Sequence, residues 1–291
     1  MRKFIKNIIF FSLIIVAYLG INFLINLYFI ETHKDKLSHT TIVMGDSHAQ
    51  KLFYSKLISK NTRNIAQSAE PYIITYYKLK KILESNTIDT LIIAFCHHNI
   101  SGFNDIKFID KTWSFEMMER SYPLTGHLLY SNEYPVDRIG YLGTIIEEMC
   151  YYPHNTHGRY IGKYSNWNNE EMKKDAKDAT WRHFYYKKKN AGISDLSVGY
   201  LKKMVQLTKE HNINLVLMTP PVHKSYFDLI PQNFKDEFNK LKNEFESQEI
   251  PVFDDSQYHY PDTLFLNSDH LNKKGSKIYS LRVRKQLQSI Q

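Results

Sequence analysis

The sequence predicts an α/β fold, a doubly wound parallel sheet, preceded by one N-terminal transmembrane helix. Three features predict it. Short unbroken apolar runs such as Leu91-Ile92-Ile93-Ala94-Phe95 and Asn214-Leu215-Val216-Leu217-Met218 read as strands buried on both faces, which is the habit of parallel sheets. Stretches of helical periodicity separate these runs, and strands alternating with helices build a sheet covered on both sides. Ahead of them all, the stretch from Asn7 to Ile30 carries no charged residue.

As a helix that stretch reaches about 36 Å, longer than the ~30 Å hydrocarbon core of a bilayer. No small-residue cleavage site closes it, so an uncleaved anchor over residues 1–30 is expected. Arg2, Lys3 and Lys6 at its start place the N-terminus in the cytoplasm and the remainder in the periplasm or outside the cell. A polar linker over 31–40 leads to the main domain, 41–291.

Within that domain Thr41-Ile42-Val43-Met44 reads as a buried strand, with a helix from His48 behind it. Asn64-Ile65 marks a weaker second strand, Tyr72 to Leu83 has helical spacing, and Leu91 to Phe95 is the third strand. A helix carrying Leu196, Tyr200, Met204 and Leu207 precedes the strand Asn214 to Met218. Phe234, Phe238, Leu241 and Phe245 form one apolar stripe, so that segment is a helix against the core. Pro251-Val252-Phe253 is a short strand, and Asn272 caps a terminal helix containing Ile278, Leu281 and Leu287. From about 101 to 191 the alternation breaks. That stretch, rich in Tyr, Trp, Asn and Lys, is expected to be a helical or irregular insertion covering the site.

Composition narrows the partners. With 291 residues and 43% hydrophobic content the chain can bury a sizeable core. The net charge of +8 favours anionic partners, but three of those charges are Arg2, Lys3 and Lys6. No block of Lys and Arg interleaved with aromatics stands out, so no nucleic-acid partner is expected. The two cysteines, Cys96 and Cys150, make neither a disulfide framework nor a CxxC site, and Cys96 reads as a buried thiol at a strand end. His154 and His157 lack the HExxH or carboxylate pattern of a zinc site, so neither metal nor other cofactor is expected.

Ligands of open α/β sheets bind at the carboxyl ends of the strands. The reactive side chains cluster there: Gly45-Asp46-Ser47-His48 after the first strand, Ser68-Ala69 after the second, Cys96-His97-His98-Asn99 after the third. Thr219 to His223 follows the fourth, and Asn267-Ser268-Asp269-His270 precedes the last helix. A serine on a strand-to-helix turn holds its hydroxyl at the rim beside the N–H groups of a helix start, which suits a nucleophile facing a developing oxyanion.

The order and spacing of these blocks resemble the SGNH (GDSL-like) hydrolase superfamily. Gly45-Asp46-Ser47 is similar to its first block, with His48 where Leu is common. Asn64-Ile65-Ala66-Gln67-Ser68-Ala69 is similar to the second, with Ala69 where the family has an oxyanion-hole glycine. Cys96-His97-His98-Asn99 stands where Gly-x-Asn-Asp is usual, and Asn267-Ser268-Asp269-His270 where Asp-x-x-His is. Asp269-His270-Leu271-Asn272 with Gly275 resembles the membrane-anchored branch related to bacterial polysaccharide O-acetyltransferases. The resemblance implies a flavodoxin-like three-layer sandwich, Ser47 as nucleophile, His270 as base, and Asn267 or Asp269 as the group orienting it. It implies oxyanion or substrate contacts from Ser68, Ala69, His98, Asn99 and His97. Its substrate would be an acylated glycan or polysaccharide, with water or a sugar hydroxyl accepting the acyl group and a membrane protein as a candidate acyl donor. The alternative is a catalytically silent, membrane-tethered glycan-binding or assembly protein with the same fold.

Overall fold

The computed structural model describes residues 1–125, 136–153, 159–168 and 171–290. Its contacts divide the chain into two compact units, Met1–Asp35 with Lys107–Tyr160, and Lys36–Ile106 with Ile161–Gln291. The stretch from 101 to 191 that interrupts the alternation is shared between them. His154 and His157 lie outside the described residues.

The larger unit is the α/β domain. Its strands are β1 (Thr41–Met44), β2 (Thr62–Asn64), β3 (Thr90–Ala94), β4 (Tyr185–Tyr186), β5 (Lys189–Asn190), β6 (Asn214–Thr219), β7 (Val252–Asp254), β8 (Phe265–Asn267) and β9 (His270–Leu271). Five of them form one sheet in the order β2-β1-β3-β6-β7, every neighbouring pair parallel. The register is flush, since Thr41 pairs with both Thr62 and Thr90, and Thr90 with Asn214. Strand order reverses between β1 and β3, so the loops leaving those two strands diverge and open a crevice at their carboxyl ends.

Successive side chains of a strand point to opposite faces, and here both faces are covered. Val43, Ile92, Ala94, Val216 and Met218 pack beneath Ala49, Leu52, Phe53, Tyr279 and Val283 from the helices Ser47–Leu52 and Lys273–Gln288. Ile42, Met44, Ile93 and Leu217 are equally buried and belong to the opposite face, where helices Tyr72–Leu83, Asp195–Glu210 and Gln232–Glu246 bury their apolar stripes. Phe95 stacks on Phe238 with centroids 4.5 Å apart. Burial on both faces is why the strands read as unbroken apolar runs.

Two details depart from the pattern in the sequence. The second strand is Thr62–Asn64, displaced from Asn64-Ile65, although the Ile65 N–H still bonds Val43 O. The terminal helix buries Ser276, Tyr279, Ser280 and Val283, leaving Ile278 and Leu281 on its exposed face. The small serines let this helix come close to its neighbour: Ser280 Oγ accepts the Tyr54 N–H at 2.8 Å.

Beneath the loop after β2 lies a buried ion pair. Lys78, on helix Tyr72–Leu83, binds the Glu70 carboxylate and donates to Ile65 O at 3.0 Å, and Glu70 also accepts from Thr75 at 2.8 Å. Both charged side chains are essentially inaccessible, so the pair ties the loop carrying Ser68 and Ala69 to the helix.

The smaller unit contains the helix Arg2–Thr32 and the helices Ser114–Thr125 and Arg138–Ile145, the last continuing as a π-helical turn through Cys150. Side chains from Phe4 to Tyr18 are largely exposed. Asn22 and Asn26, one turn apart, are buried, and their amides donate to the carbonyls of Cys150 and Met149 at 2.9 Å. Met118, Tyr122, Tyr141 and Met149 form this unit's core, with Phe23, Leu27 and Ile30 packed against it.

Removing one member of a buried ion pair strands the other charge, at a cost of about 3–5 kcal/mol. Lys78→Ala should therefore lower unfolding stability by that order in urea titrations, whereas the double variant Glu70→Gln, Lys78→Met should recover most of it. Unchanged stability in Lys78→Ala would remove the ion pair as a support of the loop.

Candidate active site

The crevice is built from backbone constraints first. Gly45, the residue after β1, has φ +128°, and a Cβ there would lie 3.2 Å from Ala94 Cβ and 3.3 Å from Ala49 Cβ. Both conformation and space demand glycine. Asp46 then caps the helix Ser47–Leu52, its carboxylate accepting the His48 N–H at 2.9 Å. Ser47 is thereby the first helical residue, and its backbone N–H has no partner within the helix.

His270 arrives from the other end of the chain on the antiparallel pair β8 and β9. Asn267 Oδ1 accepts the His270 backbone N–H at 2.9 Å and lies 3.1 Å from ring Nδ1. Asp175 braces the same turn, accepting from Ser268 N at 3.1 Å and Ser268 Oγ at 2.7 Å. Asn272 caps the following helix at Lys274 and Gly275, both 3.0 Å.

These supports hold His270 Nε2 2.9 Å from Ser47 Oγ. The groups on the Nδ1 side are acceptors: the Asn267 oxygen, fixed as an oxygen because it already accepts a backbone N–H, and the Asp269 carboxylate. The ring proton therefore sits on Nδ1, and the Nε2 lone pair receives the Ser47 hydroxyl. Asp269 Oδ1 is also 3.1 Å from Nδ1 but lacks hydrogen-bond alignment, so it acts on the ring through charge while Asn267 takes the hydrogen bond.

Burial lowers the His270 imidazole to about 4, with the Asp269 charge pulling the other way. For Asp269, burial pushes upward, but the facing imidazoles outweigh it and hold the carboxyl well below its usual range. The pair thus stands as carboxylate and neutral imidazole, the state a general base requires.

Around this pair lies a row of four imidazoles, of which the sequence singled out His270 and His98 but not His48 or His183. Centroids of His270 and His48 are 4.6 Å apart, of His48 and His98 4.4 Å, and of His98 and His183 4.5 Å. Asp269 Oδ2 lies 3.6 Å from His48 Nε2 and 3.8 Å from His183 Nε2, and His183 Nδ1 meets Tyr226 OH at 2.5 Å. His48 directly follows the serine, which was a usable signal. His183 comes from the helix Ala176–Phe184, inside the interruption, where no spacing pointed to it.

The remaining predicted site residues take differing places. His98 Nε2 meets Asp46 Oδ2 at 2.5 Å, Asn99 Nδ2 donates to the same oxygen at 2.8 Å, and Asn99 Oδ1 accepts the Cys96 N–H at 2.8 Å. Both side chains are thus turned onto Asp46, whose carboxyl burial would raise but which His98 and His48 hold well below its ordinary value. His97 stacks on Phe238 at 4.1 Å and faces away from this group. Ser68 Oγ donates to Gln50 Oε1 at 2.5 Å, and Ala69 adopts φ +61°, the left-handed conformation a glycine would take without strain.

Among the described residues two sets bring metal-ligating atoms together, His48 with Cys96 and His98, and His48 with Asp269 and His270, each within 4.8 Å. His48 Nε2 is buried without a hydrogen-bond partner. His98 Nε2 already serves Asp46 and His270 Nε2 serves Ser47, while His48 Nδ1 lies 3.8 Å from Cys96 Sγ. A cleft of about 1010 Å³ opens at the opposite end of the sheet, lined by Thr41, Thr62, Thr90 and Asn214, remote from Ser47.

Three solved structures align with the chain over most of its length at low identity. A candidate acylhydrolase from Bacteroides fragilis aligns at 12% identity and TM-score 0.41, covering 91% of this chain and 93% of the other. A GDSL-like lipase from Bacteroides thetaiotaomicron aligns at 10% identity and TM-score 0.42, covering 91% and 95%. A candidate platelet activating factor from Streptococcus pneumoniae aligns at 10% identity and TM-score 0.42, covering 98% of both chains. At these values the likeness assigns no role to any residue. No family model and no curated protein matches the sequence.

The acid limb of kcat/KM reports the free base. For p-nitrophenyl acetate it should turn near pH 4, where His270 gains its proton, in place of the ordinary 6.5. Asp269→Asn removes the charge that favours imidazolium, so the limb should move to still lower pH as the plateau falls. A limb at 6.5, or one moving upward in Asp269→Asn, would contradict the buried neutral imidazole.

Proposed function

We propose that this chain is a membrane-anchored serine esterase or O-acyltransferase of the SGNH kind, acting outside the cytoplasm on acyl, chiefly acetyl, esters of glycans. The observation that carries it is the 2.9 Å approach of Ser47 Oγ to a His270 ring whose opposite nitrogen faces only acceptors. Ser47 Oγ attacks the acyl carbonyl as its proton passes to Nε2, and the imidazolium so formed is stabilised by Asp269 and held by Asn267. The tetrahedral oxyanion develops beside the helix start at Ser47, with the turn at Ala69 as a further candidate donor. Collapse expels the sugar alkoxide, which takes the proton back from His270. Water or a second sugar hydroxyl then attacks the acyl-serine with His270 again as base, giving hydrolysis or transfer.

Two features support the substrate and the location. Trp167 and Trp181 are 52% and 48% exposed, and Asn166 pins the Trp167 segment to Lys51 O at 2.8 Å and Leu271 O at 3.0 Å, close to the loops that carry Ser47 and His270. Exposed indoles so placed suit stacking on sugar rings. The helix Arg2–Thr32 contains a window of mean hydropathy 2.6 that is 6% buried, as a membrane span requires. For the transferase reaction, a membrane-protein partner is the candidate acyl donor. The rival reading, a silent glycan-binding protein, is favoured by the side chains of His98 and Asn99 turning onto Asp46.

A fluorophosphonate probe distinguishes the two. It should label the wild type and not Ser47→Ala, and His270→Ala should slow labelling at least about 10²-fold, the lower range for loss of a general base. No labelling of wild type would favour the silent binder.

A further inference from the structure

Within the smaller unit, the helix Arg138–Ile145 and its continuation to Cys150 carry one broad apolar face, part of it buried and part exposed. The inner side, with Tyr141, Ile145 and Met149, belongs to that unit's core. Beside it stand Ile139, Leu142 and Ile146, which are 86%, 54% and 41% exposed. At about 100° per residue these three fall within one narrow stripe, with Arg138 and Glu147 on its two flanks. Tyr151 and Tyr152 follow directly, 47% and 65% exposed. The exposed stripe adjoins the buried side, so the helix offers more apolar surface than this unit's core covers.

The same unit indicates which. From Arg2 to Ile21 the N-terminal helix rises about 30 Å, the hydrocarbon thickness of a bilayer. At Asn22 its surroundings change: the Asn22 amide donates to Cys150 O at 2.9 Å and Tyr151 O at 3.2 Å, and Tyr18 OH donates to Tyr151 O at 2.7 Å. Asn26 donates to Met149 O and, at 2.6 Å, to Tyr152 O. The segment 149–152 therefore grips the helix where it has used up the depth of a membrane. Tyr18, Tyr151 and Tyr152 gather at that level, as aromatic side chains do at a membrane–water boundary.

We infer that the stripe Ile139, Leu142 and Ile146, with Tyr151 and Tyr152, lies in the outer interface of the membrane, so that this unit rests on the lipid surface from which its own helix emerges. Amphipathic helices bind in this way with the apolar side sunk about 5–10 Å into the headgroup and acyl boundary. The inference rests on the reading of Arg2–Thr32 as a membrane anchor and extends it: residues 139–152, joined to the helix where the span ends, form a seat that fixes the unit's height above the bilayer.

The test is photo-crosslinking of the full chain in phosphatidylethanolamine–phosphatidylglycerol vesicles, with a diazirine amino acid placed singly at positions 10, 139, 142 and 240 and adducts read by mass spectrometry. Lipid adducts at 139 and 142 should approach the yield at 10 and exceed that at 240, an exposed Lys position of the α/β unit, several-fold. Adducts at 10 with none at 139 and 142 would overturn the seat and leave the anchor standing. Chain-to-chain crosslinks at 139 would overturn it in favour of a second copy. No lipid adduct at position 10 would overturn the anchor reading, and the seat with it.

Discussion

A carboxylate at 1% exposure persists as an anion only if its surroundings replace the water it has lost. Much of the candidate site follows from meeting that condition at Asp269. His270, His48 and His183 each bring a ring nitrogen within 4 Å of it, and none of these contacts is a bidentate ion pair. Burial keeps the His270 and His183 imidazoles neutral, so the negative charge stays uncompensated enough to stabilise an imidazolium at His270, as the proposed reaction requires. Asp46 repeats the arrangement one position before Ser47, held by His98, Asn99 and the His48 N–H. Two buried anions, spaced by stacked imidazoles, thus frame the serine from both sides.

The sheet explains why the framing happens there. Reversal of strand order between β1 and β3 leaves their carboxyl ends uncrowded, and Asp46 comes from one while His98 and Asn99 come from the other. His270 has no sheet strand of its own. It is delivered by the two short strands β8 and β9, with Asp175 and Asn272 fixing the turn and the helix behind it. Rigidity is placed where a misplacement of even 1 Å would be costly.

Much of this was legible in the sequence. The sheet strands announce themselves because burial on both faces forbids polar interruptions, and Ser47 and His270 stand out by lying at strand ends in the expected chain order. The choice between Asn267 and Asp269 was not legible, because it depends on angle: both place an oxygen 3.1 Å from Nδ1, one in line and one not. His183 was invisible since only tertiary folding brings it beside His98. Lys78 carried no signal within the helix Tyr72–Leu83, yet it is fully buried, because its partner lies eight residues earlier in a loop. The β8–β9 pair is too short to show alternation. Ile278 and Leu281 misled in the other direction, since the terminal helix packs through serines that no apolar pattern would select.

The proton position on His270 is the most direct test of this account. Nitrogen NMR of the chain labelled at histidine rings, with His270→Gln used to assign the signal, should show a protonated Nδ1 and an unprotonated Nε2 at pH 7, unchanged until the pH nears 4. An imidazolium at neutral pH, or a proton on Nε2, would contradict it.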